Sequence, residues 1–163
     1  MILETDRLYL RKLNQNDAWR MSEYRNKAEV AKYQSWEHYS YNEAKNRIME
    51  CERITVYNCP KTDYHLAITL KTNFMIGDLF VEIVNKSVFV LGYTFDSLYW
   101  NQGYAYEMID AFLVYMKEMY HMKKVICYVY QDNVRSIHLL KKLGFYQFDK
   151  SYFYDDVGYL KKL

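Results

Sequence analysis

Residues 91–112 read LGYTFDSLYWNQGYAYEMIDAF, and the passage changes character twice. Its start closes the run SVFVLGYTF (87–95), rich in β-branched and aromatic residues, which predicts a strand over 88–95. Its end opens a helical stripe in which Ala105, Met108, Ile109, Phe112, Met116 and Tyr120 follow helical spacing, predicting a helix over 104–120. Between them lies a polar, aromatic loop that ends at Gly103. The chain has only five glycines. One placed at a loop-to-helix junction points to a backbone role. A turn without bulky side chains before a helix presents free backbone N–H groups, and the helix dipole makes them an anion site. Gly103 lets an anion approach the backbone, and small Ala105 leaves the helix start uncrowded. A plain left-handed turn is the competing reading, since one glycine is not a fingerprint.

Downstream, KVICYVY (124–130) is a continuous apolar run, as a strand buried on both faces requires. Strand 88–95, helix 104–120 and strand 124–130 thus form a βαβ unit, whose crossover is expected to be right-handed. NVRSIHLLKKLGF (133–145) reads as a helix with Asn133 as cap, two lysines in its last turn and Gly144 as its stop. YQFDKSYFY (146–154) and DVGYLKKL (156–163) read as closing strands.

Upstream, YHLAITL, FMIGDLFVEIV and SVFVLGYTF are separated by the hairpin punctuation KTN and NK, which predicts three consecutive antiparallel strands. RLYLRKL (7–13) alternates like a half-buried strand. A short helix follows it with Asn14, Asn16 or Asp17 available as cap. A second helix starts near Ser40 or Asn42, with Ala44, Ile48, Cys51 and Ile54 on its apolar face. The aromatic segment 33–39 is expected to be a loop between them.

At 163 residues and 51% apolar, the chain is expected to fold as a single domain spanning 1–163. A net charge of +2, with lysine pairs scattered rather than clustered, argues against a nucleic-acid partner. No apolar run approaches a membrane span, and the opening MILETDRLYLRKL places acids where a signal peptide is apolar. Three cysteines without C-x-x-C spacing suit reduced thiols in a cytoplasmic setting. Neither they nor the four histidines show ligand spacing, so no metal is expected. Nineteen tyrosines supply apolar area with polar tips, and most are expected to half-bury in the core.

The chain resembles the GNAT superfamily of acyl-CoA-dependent N-acyltransferases, specifically its RimJ/RimL-like branch. LGYTFDSLYWNQGYAYEMIDAF is similar to that branch's strand, pyrophosphate loop and helix. Trp100 stands where many members carry Gln or Arg, and Gly103 and Ala105 fill the two small positions. NVRSIHLLKKLGF is similar to the second signature, an Asn followed three residues later by Ser or Ala and closed by Leu-Gly-Phe. The opening LETDRLYLRKL is also typical of the branch. The resemblance implies an α/β (α+β) GNAT fold: a mixed, mostly antiparallel sheet with a splayed parallel pair and flanking helices.

It also implies acetyl-CoA as co-substrate in the cleft between strands 88–95 and 124–130. The backbone of Tyr93, Thr94 and Phe95 would pair with the pantetheine arm as β-augmentation does. Trp100, Asn101, Gln102, Gly103, Tyr104 and Ala105 would form the pyrophosphate loop, and Asn133 would bond the pantetheine. Many members place a tyrosine acid seven residues after the helix Asn, but here that position is Leu140. Ser136 matches a serine that the branch uses near the sulfur, and it is named as possible proton donor beside its alternative role in the helix cap. No acid lies on strand 88–95, which leaves Glu82 and His138 as base candidates.

Tyr33, Trp36 and Tyr39 are expected to line the acceptor side. The implied activity is acetyl transfer to a primary amine, foremost a protein N-terminus. A small amine such as an aminoglycoside or polyamine, or a non-catalytic acyl-CoA sensor, stands as the alternative. Pairing with a second copy of the chain is left open.

Overall fold

The alternation and helical stripes resolve, in a computed structural model, into one eight-stranded sheet in the order β1-β2-β3-β4-β5-β6-β8-β7. The structure describes residues 1–150 and 156–163. The strands are β1 (Leu3–Glu4), β2 (Leu8–Lys12), β3 (Thr62–Leu70), β4 (Met75–Asn85), β5 (Val88–Phe95), β6 (Lys124–Tyr130), β7 (Tyr146–Lys150) and β8 (Asp156–Lys162). The helices are α1 (Asp17–Arg25), α2 (Ala28–Ala31), α3 (Tyr41–Glu52), α4 (Tyr104–Tyr120) and α5 (Val134–Lys142). The three-strand meander is β3-β4-β5, and the βαβ unit is β5-α4-β6, parallel as expected. The end of the expected strand 146–154 lies outside the described residues.

Alternate positions of the meander serve opposite layers. Leu79, Val81 and Ile83 on β4 pair with Tyr93, Leu91 and Phe89 on β5, and this face receives α4, where Phe89 meets Phe112 edge-on at 6.3 Å. Asp78, directly opposite Thr94, faces α1 and receives Tyr24 and Arg25. Ser40 caps α3 in a reciprocal box: its Oγ accepts from Glu43 N (3.2 Å), and Glu43 Oε2 accepts from Ser40 N (2.7 Å). In α1, Asn16 makes no side-chain cap; Asp17 turns back to accept from Asn14 N (2.8 Å) and from Arg11 (2.7 and 2.8 Å). Gly144, at φ +85°, ends α5 as its position after two lysines suggests.

The feature that matters most is where pairing stops. β5 and β6 pair only at Val88–Lys124, Phe89–Val125 and Val90–Ile126. Beyond them β6 stays with β8 through Tyr130, while the outer edge of residues 91–95 has no strand partner among the described residues. The sheet splits open at its centre.

Candidate active site

A cleft of about 490 Å³ fills the split, bordered by Leu91, Gly92 and Tyr93 on one side and by residues 127–130 on the other. A second cavity of about 400 Å³ continues from it along Tyr93, Thr94 and Phe95 to the 99–106 turn and α5. Tyr33, Gln34, Tyr93, Asn133 and Ser136 border both. The two cavities therefore form one passage with Tyr93 and Ser136 at the waist.

The turn at the far end is built to leave N–H groups bare. Asn101 and Gly103 both have left-handed backbone, φ +59° and +82°. The first helical bond of α4 runs from Glu107 N to the Gly103 carbonyl (3.0 Å), so Tyr104, Ala105 and Tyr106 donate to no helical acceptor. Asp96 anchors the loop. Its fully buried carboxylate accepts from Arg20, from Lys27 Nζ (2.5 Å) and from Leu98 N (3.2 Å). Burial works to raise the Asp96 pKa, but Lys27 and Arg20 outweigh it and hold the group ionised. Trp100 donates from Nε1 to the Phe95 carbonyl (2.9 Å), and the Arg135 guanidinium lies 3.5 Å above its ring. Lys142 and His138 join Arg135 along the α5 wall, so the cavity beside the bare N–H groups is also rimmed by basic side chains.

Most of the residues named from sequence meet here. Tyr93, Thr94, Phe95, Trp100, Asn101, Gly103, Tyr104, Ala105, Asn133 and Ser136 all border the passage. Gln102 does not: its Nε2 donates back to Leu98 O (2.8 Å), and its carbonyl accepts from Arg7 (2.9 Å). Asn133 Oδ1 accepts from Ser136 N (3.2 Å), the helix-cap role. Of the base candidates, His138 borders the α5 side, whereas Glu82 is exposed on β4 away from both cavities.

The aromatic loop divides. Tyr33 borders both cavities, but Trp36 and Tyr39 do not; their rings each stand 4.5 Å from the buried Arg25 guanidinium. Trp36 Nε1 also donates to the Arg25 carbonyl (3.3 Å). An aromatic run cannot reveal in advance which rings a buried cation will claim. Trp36→Ala is accordingly expected to lower stability by about 2 kcal/mol, as loss of a desolvated cation–π contact and ring packing would. The acceptor KM should stay within twofold. Urea denaturation and steady-state kinetics on the same variant check both, and a raised KM at unchanged stability would return Trp36 to the acceptor wall.

Two further residues reach this region without a sign in the sequence. Arg7, in the turn before β2, donates to Glu107 (2.6 Å) and Gln102 O and lies 4.3 Å from the Tyr104 ring, pinning the N-terminal turn to the loop. Asp156, at the start of β8, is the single carboxylate bordering the split among the described residues. No local pattern marks either: Asp156 is brought in by strand pairing and Arg7 by its ion pair with Glu107.

A split parallel pair with a bare-amide turn at one end is the geometry that the sequence resemblance implies, and comparison with known proteins decides the family. The family described as "Acetyltransferase (GNAT) domain" matches residues 7–146. The chain belongs to the GNAT acetyltransferase family. The GNAT fold extends over nearly the whole chain. A GNAT-family acetyltransferase from Bacillus anthracis superposes with a TM-score of 0.84 at 21% identity, covering 99% of this chain and 98% of that one. RimL, a ribosomal L7/L12 alpha-N-protein acetyltransferase solved with coenzyme A, gives 0.83 at 18%, covering 99% and 97%. A spermidine N-acetyltransferase from Vibrio cholerae, solved with CoA and spermine, gives 0.78 at 16%, covering 97% and 96%. No curated protein matches this GNAT chain. Among its described residues, no helix is long and apolar enough to cross a membrane, and no group of three His, Cys, Asp or Glu is placed to hold a metal ion.

Proposed function

We propose that the protein transfers the acetyl group of acetyl-CoA to a primary amine, foremost the α-amine of a protein N-terminus. The observation that carries this reading is the open β5 edge running into the bare-amide turn. The pyrophosphate would rest on the N–H groups of residues 101–105, with Arg135 and Lys142 beside it. The pantetheine would lie along Tyr93, Thr94 and Phe95 as an added strand, reaching Asn133, and bring its thioester to the waist. A relative solved with coenzyme A supports that co-substrate.

Chemistry at the waist needs a neutral amine, a donor for the tetrahedral oxyanion and a proton for the leaving thiolate. An outward N–H of β5 suits the oxyanion, and Ser136 suits the proton. Among the described residues, Glu29 borders one cavity and Asp156 the other, and neither has a second carboxylate beside it in that lining for base work, which favours an amine that is already partly neutral. At pH 7 an α-amine is about ten per cent neutral against roughly 0.04% for a free lysine, so solvent can take its proton.

The acceptor would enter through the split, between Tyr33, Tyr128, Tyr130 and Asp156. One carboxylate among aromatic rings suits a single ammonium head, whereas a polycation would favour several acids. The free thiols Cys51, Cys59 and Cys127 suit a reducing cytoplasmic location.

Acetyl-CoA titration by calorimetry, followed by CoA release across a panel of N-terminal peptides, polyamines and aminoglycosides, tests the reading. Binding without release for any amine would make the protein an acyl-CoA sensor. With the preferred amine, Asp156→Asn is expected to raise acceptor KM about tenfold while leaving acetyl-CoA affinity unchanged, the loss of one charge-assisted contact. An unchanged acceptor KM would remove Asp156 from the acceptor site.

A further inference from the structure

Ser136 is not alone at the waist. Tyr93 reaches across from β5, and the two hydroxyls share a hydrogen bond of 2.6 Å. Ser136 is fixed from behind by the Asn133 cap, so the pair is held from both walls. The position on α5 where the sequence resemblance leads one to look for a tyrosine is Leu140, fully buried and unable to give a proton. The phenol at this point of the passage comes instead from the opposite wall.

We propose that Tyr93 and Ser136 form a two-hydroxyl relay that protonates the departing CoA sulfur, Ser136 facing the sulfur and Tyr93 acting through it. The inference rests on the acetyl-transfer reading given above. As the tetrahedral intermediate collapses, the C–S bond breaks and its electron pair goes to sulfur. The Ser136 hydroxyl proton moves to that sulfur, and the Tyr93 proton moves to Ser136 Oγ. The proton that left the amine nitrogen, carried by solvent, replaces the Tyr93 proton in the same concerted transfer, so the buried phenol never stands as a free phenolate. One proton travels from amine to thiol, and neither side chain changes at the end of the cycle. Burial, with a smaller push from the neighbouring Cys127, raises the Tyr93 pKa against the lowering effect of the Ser136 bond. The phenol is therefore protonated when the cycle begins, as a donor must be.

In this relay Tyr93 is a positioning residue, and its test needs a readout that packing alone would not move. Tyr93→Phe keeps the ring and removes one oxygen; Ser136→Ala removes the other member. Each is expected to lower kcat about ten- to a hundredfold while acetyl-CoA Kd stays within threefold, because the proton is needed only in the transition state. The double variant should be no slower than the slower single, as members of one relay are not additive. A second measurement needs no acceptor. The thiol of bound CoA, titrated by thiolate absorbance as a difference between liganded and free protein, should have its pKa raised by about one unit in Tyr93→Phe, since hydroxyl donation stabilises the thiolate. Unchanged kcat with an unchanged thiol pKa would overturn the relay, and so would loss of acetyl-CoA affinity in step with kcat. If no amine is acetylated but CoA binds, the acetyl-transfer reading fails and the thiol titration still decides whether the pair serves the sulfur.

Discussion

Gly103→Val is expected to weaken acetyl-CoA binding at least a hundredfold while leaving the protein folded. A β-branched residue at φ +82° is strained by roughly 1–3 kcal/mol. The new Cβ would also stand 3.3 Å from Arg7 Nη2, so the guanidinium that pins the loop through Glu107 and Gln102 must give by a few tenths of an ångström. Most of the strain is relieved if the turn rotates, and that rotation removes the N–H groups of residues 101–105 from a common focus. The change therefore falls on the anion site more than on the core. Calorimetry for the affinity and thermal unfolding for the fold are the measurements. Unchanged affinity in a folded variant would remove the turn from the binding site.

The largest effect on stability is expected at Asp78. Its carboxylate lies 1% exposed and accepts from Arg25 (2.7 Å), His65 Nδ1 (2.8 Å) and the Tyr24 hydroxyl. Burial works to raise its pKa, yet Arg25 first and then His65 and Tyr24 hold it well below the usual carboxylate range. Asp78→Asn leaves the Arg25 guanidinium buried without a counter-ion, a loss of about 3–5 kcal/mol.

The same cluster sets the acid limb. Asp78 is depressed in the folded state, so its contribution is complete above the unfolded value near 3.9 and is lost as pH falls toward its folded pKa. His65 is also lowered, chiefly by burial and despite Asp78, so the unfolded chain takes its proton first. Stability should then begin to fall below about pH 6.5 and fall more steeply below about pH 4. Urea unfolding of wild type and Asp78→Asn from pH 3 to 8 checks both. The variant should lose the steep lower limb; a parallel curve would place the acid sensitivity elsewhere.

Periodicity carried the sheet and helices because each buries one face and so writes its period into the chain. The meander and the α4 stripe were legible for that reason, and the Asn133 cap and Gly144 stop from the chemistry of helix ends. β6, expected to be buried on both faces from its unbroken apolar run, instead alternates, with Tyr128 and Tyr130 exposed beside the split. α2 is a single turn, too short to show a period, and β1 has two residues. In the candidate site, the turn could be read because backbone conformation there demands glycine. Residues brought in by long-range pairing left no local trace: Arg7 arrives through Glu107 on α4, and Asp156 through its register opposite Tyr130. The Tyr93 side chain was hidden for a related reason. A strand residue named for its backbone says nothing about where its ring will reach. Trp36 and Tyr39 show the converse, since it is Arg25, buried by α1 packing, that turns them away from the passage.

The three residue pairs that join β5 to β6 hold two leaves of the sheet together at one end. One leaf is the meander with its N-terminal strands; the other is β6, β8 and β7. A small rotation at such a joint displaces the far end of the opening more than the near end, as a lever does. The far end is where Thr94, Phe95, Tyr130 and Asp156 stand. The width of the opening is therefore set by the angle between leaves as well as by the side chains that line it. A substitution at Val88, Phe89 or Val90 that changed this angle would change what the opening admits.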